Sequence, residues 1–535
     1  FAYFEWAMAQ VAYYVDPGML DVANLNYAST GTVLFQRTSV IVTDVVFIYS
    51  LYLFSLTWPS VRLTETAHSY SKTCIVTALA FLNPGLLMVD HVHFQYNGVM
   101  VGIFIVSLAL IRKDCDLRAA GVFACLLCMK HIFLYVAPVY LVYLYRHHCY
   151  DLKAAGCSVR RRMPAKYNWN IVEDEEIDQS EEHPRDGEGR PADSDTNVGL
   201  PVDSTDGENT PSEVEGGPAT DFDTEEERER THAAWSRERS PSLEVAPKSL
   251  GNCKLTAFLE LGGVVLVVVA VAFLPILVAA FLKGGDEQVI VCLQQIFGRL
   301  FPFQRGLTHA YWAPNVWAGY NLLDKVLVVG LKRYPGILNT TLWGRGILDA
   351  LSDPTLSAST TSGLVGVVAG HRVLPTITGG ICLLATVVAM LPILLSLWRR
   401  PHPKAFVHAI VFCQMCAFQL GYHVHEKAIL IAILPMTLLA CDSAADAKVY
   451  LLMAWIGHVS LFPLLYGPRE APLQLLAFVI HAVGGYLALD SYHKNEEAKM
   501  RFTQEGVTFS RLEKLYLWGL GCVCMYQYLH PVLWP

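Results

Sequence analysis

Residues 256–282 read TAFLELGGVVLVVVAVAFLPILVAAFL, a stretch with a single ionisable side chain, Glu260. About 20 apolar residues suffice for a helix to cross the hydrocarbon core of a bilayer, so this stretch predicts a transmembrane helix. Working outward, further apolar runs lie near 36–57, 74–90, 97–112, 118–147, 372–398, 404–421, 428–441, 448–466, 472–489 and 513–531. Several are shorter than a full span, so their ends must take in polar residues or their helices must tilt. In 118–147 the central Lys130 and His131 predict two short helices folded back on one another. An uncompensated charge at the bilayer centre of one long helix would cost about 2.5–3.5 kcal/mol. The expected fold is therefore an all-α multi-pass membrane protein. Composition agrees: the 535 residues are 53% apolar and only 16% charged, too apolar for an ordinary soluble multidomain chain.

The net charge of −8 misleads. Residues 173–230 carry 22 Asp and Glu against four Arg, a local −18 that leaves +10 on the remainder. Three parts follow: an N-terminal membrane part, 1–149, with an aromatic amphipathic start; an acidic insertion, 150–250; and a C-terminal membrane part, 251–535, with a long polar loop over 283–371. The insertion is rich in Glu, Asp, Ser, Pro and Gly and poor in aromatic residues. It cannot bury enough apolar surface to offset its ordering entropy and is expected to be a disordered loop. The 14 Cys are scattered, and several, such as Cys125, Cys128 and Cys413, lie inside apolar runs where Cys behaves as a small hydrophobe, which predicts no disulfide framework.

Placing Lys and Arg clusters in the cytosol puts Arg112-Lys113, Arg146 to Lys166, Arg399-Arg400-Lys404 and Lys494 to Arg501 on one side. The segments around Asp90 to Asn97, 283–371 and His423 to Lys427 then share the opposite, lumenal side. The single N-x-S/T sequon, Asn339-Thr340-Thr341, falls there too, where a glycan could be attached. Three polar clusters converge on this face. The first is Asp90-His91-Val92-His93-Phe94-Gln95-Tyr96-Asn97-Gly98. Its His-x-His beside an Asp is the start of a metal site, yet no third ligand sits at a recognisable spacing, and no metal is expected. The second is Gly421-Tyr422-His423-Val424-His425-Glu426-Lys427. The third runs from Arg299 through Arg305 to His309, Trp312 and Trp317. Arg suits bidentate phosphate binding, and Trp or Tyr suits a sugar face or an interface belt. The plainer readings are a polar turn at the membrane interface, an internally satisfied Glu426–Lys427 pair, and aromatic belt anchoring.

These strings resemble the dolichyl-phosphate-glucose-dependent α-1,3-glucosyltransferases that build the glucose cap of the N-glycan precursor in the endoplasmic reticulum. The resemblance rests on His93-Phe94-Gln95-Tyr96-Asn97-Gly98, on His423-Val424-His425-Glu426-Lys427-Ala428-Ile429-Leu430 and on Arg299-Leu300-Phe301-Pro302-Phe303. Arg305-Gly306-Leu307 and His309-Ala310-Tyr311-Trp312-Ala313-Pro314-Asn315 resemble the member that adds the second glucose, with Phe1 to Trp6 and Asn24 to Tyr27 in agreement. The likeness covers nearly the whole chain except about 150–250, where the family has a much shorter loop.

The resemblance implies a GT-C membrane glycosyltransferase, an active site facing the lumen, and inverting transfer of glucose from dolichyl phosphate glucose to a mono-glucosylated lipid-linked oligosaccharide. Donor, acceptor and membrane lipid are the partners; no cofactor and no nucleic acid are expected. It also implies an Asp base and an Asp-Tyr-Pro-Pro motif in a loop that would precede Phe1, so the chain reads as a fragment, with Asp90 a weak substitute base. Candidate donor-phosphate ligands are Arg299 and Arg305. His423, His425 and Lys427, with Glu426 between them, are candidates for phosphate or sugar contacts, as are His309 and Trp312. His93, Gln95 and Asn97, with Asp90, are candidates for sugar or acceptor contacts. Three alternatives stay open: the first-glucose enzyme, a transporter, and a non-catalytic scaffold. Against a transporter stands the absence of paired inverted halves. Against a scaffold stands the gathering of polar clusters on one side.

Overall fold

The computed structural model describes residues 2–58, 66–150, 253–300, 306–309, 313–334, 371–465, 467, 469–499 and 506–533. The acidic insertion, Arg305, Trp312 and Asn339 lie outside the described residues, and of Arg299 only the helical backbone is described. The described elements are helices, without a strand: α1 Ala2–Val15, α2 Thr30–Ser55, α3 Thr66–Phe81, α4 Asn97–Arg112, α5 Asp116–Met129, α6 Ala137–His148, α7 Leu255–Leu300, α8 Val316–Arg333, α9 Gly379–Arg399, α10 Pro403–Leu420, α11 Leu430–Thr437, α12 Ala444–Ser460, α13 Ala471–Lys499 and α14 Arg511–Leu533. Seven helical segments among them are long and apolar enough to cross a membrane.

The 118–147 run folds as two helices. α5 ends at Met129, Lys130 is extended (φ −146, ψ 107), a 3-10 turn covers His131–Val136, and α6 begins at Ala137. A different outcome meets 428–441, whose apolarity suggested a span. Only the eight residues of α11 are helical there before the chain turns, a rise of about 12 Å. Every residue of α11 is buried in protein. Hydropathy reports that a segment is apolar but not whether protein or lipid surrounds it. Likewise 283–371, read as one loop, starts with the last turns of α7 and contains α8.

α7 carries the stretch that opened the sequence reading, and its apolar part is almost wholly exposed, as a lipid-facing helix must be. It breaks at Gly284–Gly285, where Gly285 has φ +65 and ψ −155, a region essentially confined to glycine that costs a side-chain-bearing residue about 1–3 kcal/mol.

The interior is held by close packing, because lipid tails are as apolar as the side chains and burial against them gains little. Phe104, Phe133, Tyr140 and Phe406 meet in one aromatic knot, with the Phe123 ring stacked on Tyr140. Ser107 donates to or accepts from the Tyr140 hydroxyl at 2.8 Å inside it. α2 and α4 approach through Gly102, where an added Cβ would lie 3.1 Å from the Cα of Phe47 and 3.2 Å from its backbone nitrogen. Backbone cannot yield as a flexible side chain does. Gly102→Val should therefore cost about 1–3 kcal/mol, read as a lower midpoint of thermal unfolding in detergent; an unchanged midpoint would show that the two helices can separate freely.

Candidate functional site

The chain leaves α3 at Phe81, makes one helical turn at Pro84–Leu86 and a wider π-helical turn at Leu87–Val92, then re-enters a helix at Asn97. Asn83 caps the first of these turns, accepting from the Leu86 amide at 3.2 Å. π-Helical turns concentrate at functional sites, and this one carries Asp90 inward. Both Asp90 oxygens are occupied: Oδ1 accepts from Asn97 Nδ2 at 2.7 Å and Oδ2 from the Gly98 amide at 2.6 Å. The carboxylate thus satisfies unpaired donors at the N-terminus of α4, where the helix dipole favours negative charge. Asn97 Nδ2 also donates to Gln95 Oε1 at 3.1 Å, and the Lys130 ammonium donates to Asn97 Oδ1. The motif residues Asp90, Gln95 and Asn97 therefore form one hydrogen-bonded frame.

His91 and His93 part company. His91 Nε2 pairs with Asp44 of α2 at 3.0 Å, so the His-x-His does not assemble a metal site. His93 lies near Glu426 and Lys427; burial, followed by the Lys427 charge, pushes its imidazole below the usual value. Near neutral pH it is an uncharged hydrogen-bonding group.

The Gly421–Lys427 segment follows α10. His423 takes the left-handed backbone conformation, φ +52, while its amide donates to Leu307 O at 2.9 Å and its Nδ1 lies 2.7 Å from Gly306 O. This ties the 306–309 segment to the end of α10 and brings in His309. The rings of His309 and His425 lie 3.9 Å apart between centroids, His309 and His423 5.5 Å, and His423 and His425 5.9 Å. One ring nitrogen from each of the three lies within 4.8 Å of the others, a grouping able to hold a metal ion. Glu426, 3% exposed, places Oε2 3.8 Å from His309 Nδ1. Among the described residues no ion pair joins Glu426 to Lys427, as expected of sequence neighbours whose side chains diverge. Loss of hydration raises the Glu426 carboxyl above its ordinary value and lowers the Lys427 ammonium below its own.

α8 supplies the scaffold for the adjoining segments. Asn321 bridges Thr308 Oγ1 at 2.9 Å and His371 Nε2 at 2.8 Å, and Asp324 accepts from the amides of Arg372, Val373 and Leu374. The structure thus gathers His93, His309, His423, His425, Glu426 and Lys427, with the Asp90–Gln95–Asn97 frame within electrostatic reach through Lys427 and Lys130. Sequence reasoning missed Lys130, seen there only as an interruption of an apolar run. An ionisable residue at that depth is itself a signal of function.

Comparison with known proteins agrees with this architecture. A model of a family described as the ALG6, ALG8 glycosyltransferase family matches residues 1–168 and 241–535. A mouse protein named dolichyl pyrophosphate Glc1Man9GlcNAc2 alpha-1,3-glucosyltransferase is 35% identical over 523 residues, covering 97% of this chain and 76% of that protein. Proteins of the same name from Neurospora crassa and Arabidopsis thaliana are 34% identical over 491 residues (92% of this chain, 73% of theirs) and 30% identical over 536 residues (99% and 79%). The helical, multi-pass architecture and this likeness define a membrane glycosyltransferase of the GT-C type. The chain belongs to the ALG6, ALG8 glycosyltransferase family, and its activity is that of an α-1,3-glucosyltransferase.

Proposed function

We propose that this enzyme transfers glucose from dolichyl phosphate glucose to Glc1Man9GlcNAc2 on dolichyl diphosphate, forming an α-1,3 linkage with inversion at the lumenal face of the endoplasmic reticulum membrane. The observation that carries the reading is the meeting of the His309 and His423–Lys427 segments, distant in sequence, beside the Asp90–Asn97 frame. The names of the mouse, fungal and plant relatives support the choice of acceptor. Lumenal placement is supported by the Lys and Arg clusters at Arg112-Lys113, Arg146 to Lys166, Arg399 to Lys404 and Lys494 to Arg501, which the charge rule assigns to the opposite side.

The chemistry asks for groups that stabilise charge growing on the departing phosphate. Imidazoles at 309, 423 and 425 and the Lys427 ammonium meet that demand as hydrogen-bond donors. Gln95 and Asn97 are suited to sugar hydroxyls, and His93, uncharged near neutral pH, to either a hydroxyl or a phosphate oxygen. Arg299, Arg305 and Trp312 are assigned to the donor and its sugar on their residue types, and Asn339 to a glycan. Asp90, with both oxygens engaged by donors, is a framing group and a poor proton acceptor.

The test is the mass of lipid-linked oligosaccharides in cells lacking the gene. Accumulation of the one-glucose precursor is expected. Accumulation of the glucose-free form would reassign the chain to the first glucose, and an unchanged profile would remove the reading altogether.

A further inference from the structure

His309, His423 and His425 converge from two separate segments, His423 and His425 from the turn after α10 and His309 from the 306–309 segment far earlier in the chain. The His-x-His at 91–93 has no third ligand; the fold supplies one to the His-x-His at 423–425. Ring packing accounts for the contacts among the three imidazoles, but it does not call for their polar edges to meet. Here one ring nitrogen from each lies within 4.8 Å of the others. Nitrogens around a tetrahedral zinc ion, each about 2.0–2.1 Å from it, stand about 3.4 Å apart. Closing the cluster on an ion therefore asks each pair to approach by at most about 1.4 Å, a movement within reach of side-chain torsions.

Two further features point to a cation. The first is the tautomer of His423. Its Nδ1 lies 2.7 Å from Gly306 O, which can only accept, so in the neutral ring Nδ1 carries the proton and Nε2 the lone pair. One ring nitrogen donating to a backbone carbonyl is the usual outer shell of a metal-bound histidine. The left-handed backbone of His423, φ +52, sets the direction of that ring, and such conformations in residues other than glycine concentrate at functional sites.

The second is Glu426. Only 3% exposed, its side chain leaves Oε2 without a hydrogen-bond partner among the described residues. That oxygen lies 3.8 Å from His309 Nδ1, too long for a hydrogen bond and short enough to become one when the ring turns. Buried carboxylates are paired with a positive charge or stand at a metal, and three neutral rings supply no positive charge. The competing account is a protonated His309 paired with Glu426.

We propose that His309, His423 and His425 form a binding site for a divalent transition-metal ion, zinc by its three imidazoles, with Glu426 behind His309 as the carboxylate that orients the ring and balances the charge. Imidazole suits zinc, copper, iron and nickel, whereas magnesium, calcium and manganese call for oxygen ligands. Three protein ligands leave the fourth position of a tetrahedral ion to a group from outside the cluster, such as water or a phosphate oxygen. The site goes beyond the glucosyltransferase reading and stands on these residues without it.

The test is metal content, which needs no turnover. Protein purified in detergent is stripped with a chelator, dialysed against buffered zinc and analysed by inductively coupled plasma mass spectrometry. Wild type should hold about one zinc ion per chain and His309→Ala less than about a tenth of that, since two imidazoles fall short of the three protein ligands of a zinc site. Glu426→Gln should bind the ion about 10- to 100-fold more weakly, the usual effect of losing an outer-shell carboxylate. Cobalt(II) bound to wild type should show the visible absorption of a four-coordinate ion with nitrogen ligands. Zinc should raise the midpoint of thermal unfolding of wild type and leave that of His309→Ala where it is. Equal midpoints of the two metal-free proteins establish that the variant folds, and His309→Gln replaces it if they differ. Wild type that takes up no stoichiometric zinc would overturn the site and leave the protonated His309–Glu426 pair. Full zinc content in the His309 variant would overturn it as well, by placing the ion elsewhere.

Discussion

Glucose transfer should fall by about a hundred- to a thousandfold when His425 is replaced by alanine, the range found when one preorganised donor is removed from a transition-state site. His425 sits where the second and third polar clusters meet, its ring against His309 and two residues before Lys427. The variant should fold, because the ties that fix this corner run through other groups: the backbone and ring of His423 to Leu307 and Gly306, and Asn321 to Thr308 and His371. Steady-state kcat/KM with microsomal enzyme, alongside the unfolding midpoint, checks both halves. Normal transfer by His425→Ala would make the imidazole cluster a structural device. Dialysis against a chelator belongs to the same experiment, since three imidazoles at this spacing can accept a metal ion. Activity lost on chelation and restored by a divalent cation would show that the cluster works through a metal and not as free donors.

The second large effect is on stability. Asp90→Ala leaves the Gly98 amide and Asn97 Nδ2 without their acceptor and removes the nearest negative charge from Lys130. The expected loss is about 1–3 kcal/mol for each orphaned group, part of which is the ordinary value of a helix cap, about 1 kcal/mol. Asp90→Asn is more informative. Its oxygen can still cap Gly98, but its amide would face the amide of Asn97, and Asn97 cannot turn over because Lys130 holds its oxygen. The midpoint of unfolding should therefore drop while turnover below that midpoint stays close to normal. A thousandfold loss of kcat with an unchanged midpoint would be the signature of a general base and would sink the framing role.

Much of this molecule was legible before any coordinates. The spacing of apolar runs announced helices, and the lone charge pair Lys130-His131 announced the fold-back between α5 and α6. The strings around His93 and His423 announced where polar side chains would gather. Other features were hidden for definite reasons. The run at 428–441 gave the same apolar signal as a lipid-facing span, although α11 is short and wholly enclosed by protein. His91 and His93 looked like partners because they are two residues apart, yet one turns to Asp44 and the other to the Glu426–Lys427 corner.

By itself, then, the sequence determined the class of the protein, its membrane habit and the local strings that carry polar chemistry. These follow from hydropathy and short-range periodicity, which act over a few residues. Only the tertiary structure decided which strings meet. Lys130 reaches Asn97 across 33 positions, and His423 reaches Gly306 across 117. Such pairings are set by how helices pack through contacts like Gly102 on Phe47 and by where buried polar groups find partners. Both conditions involve the whole interior at once, so no window of sequence contains them.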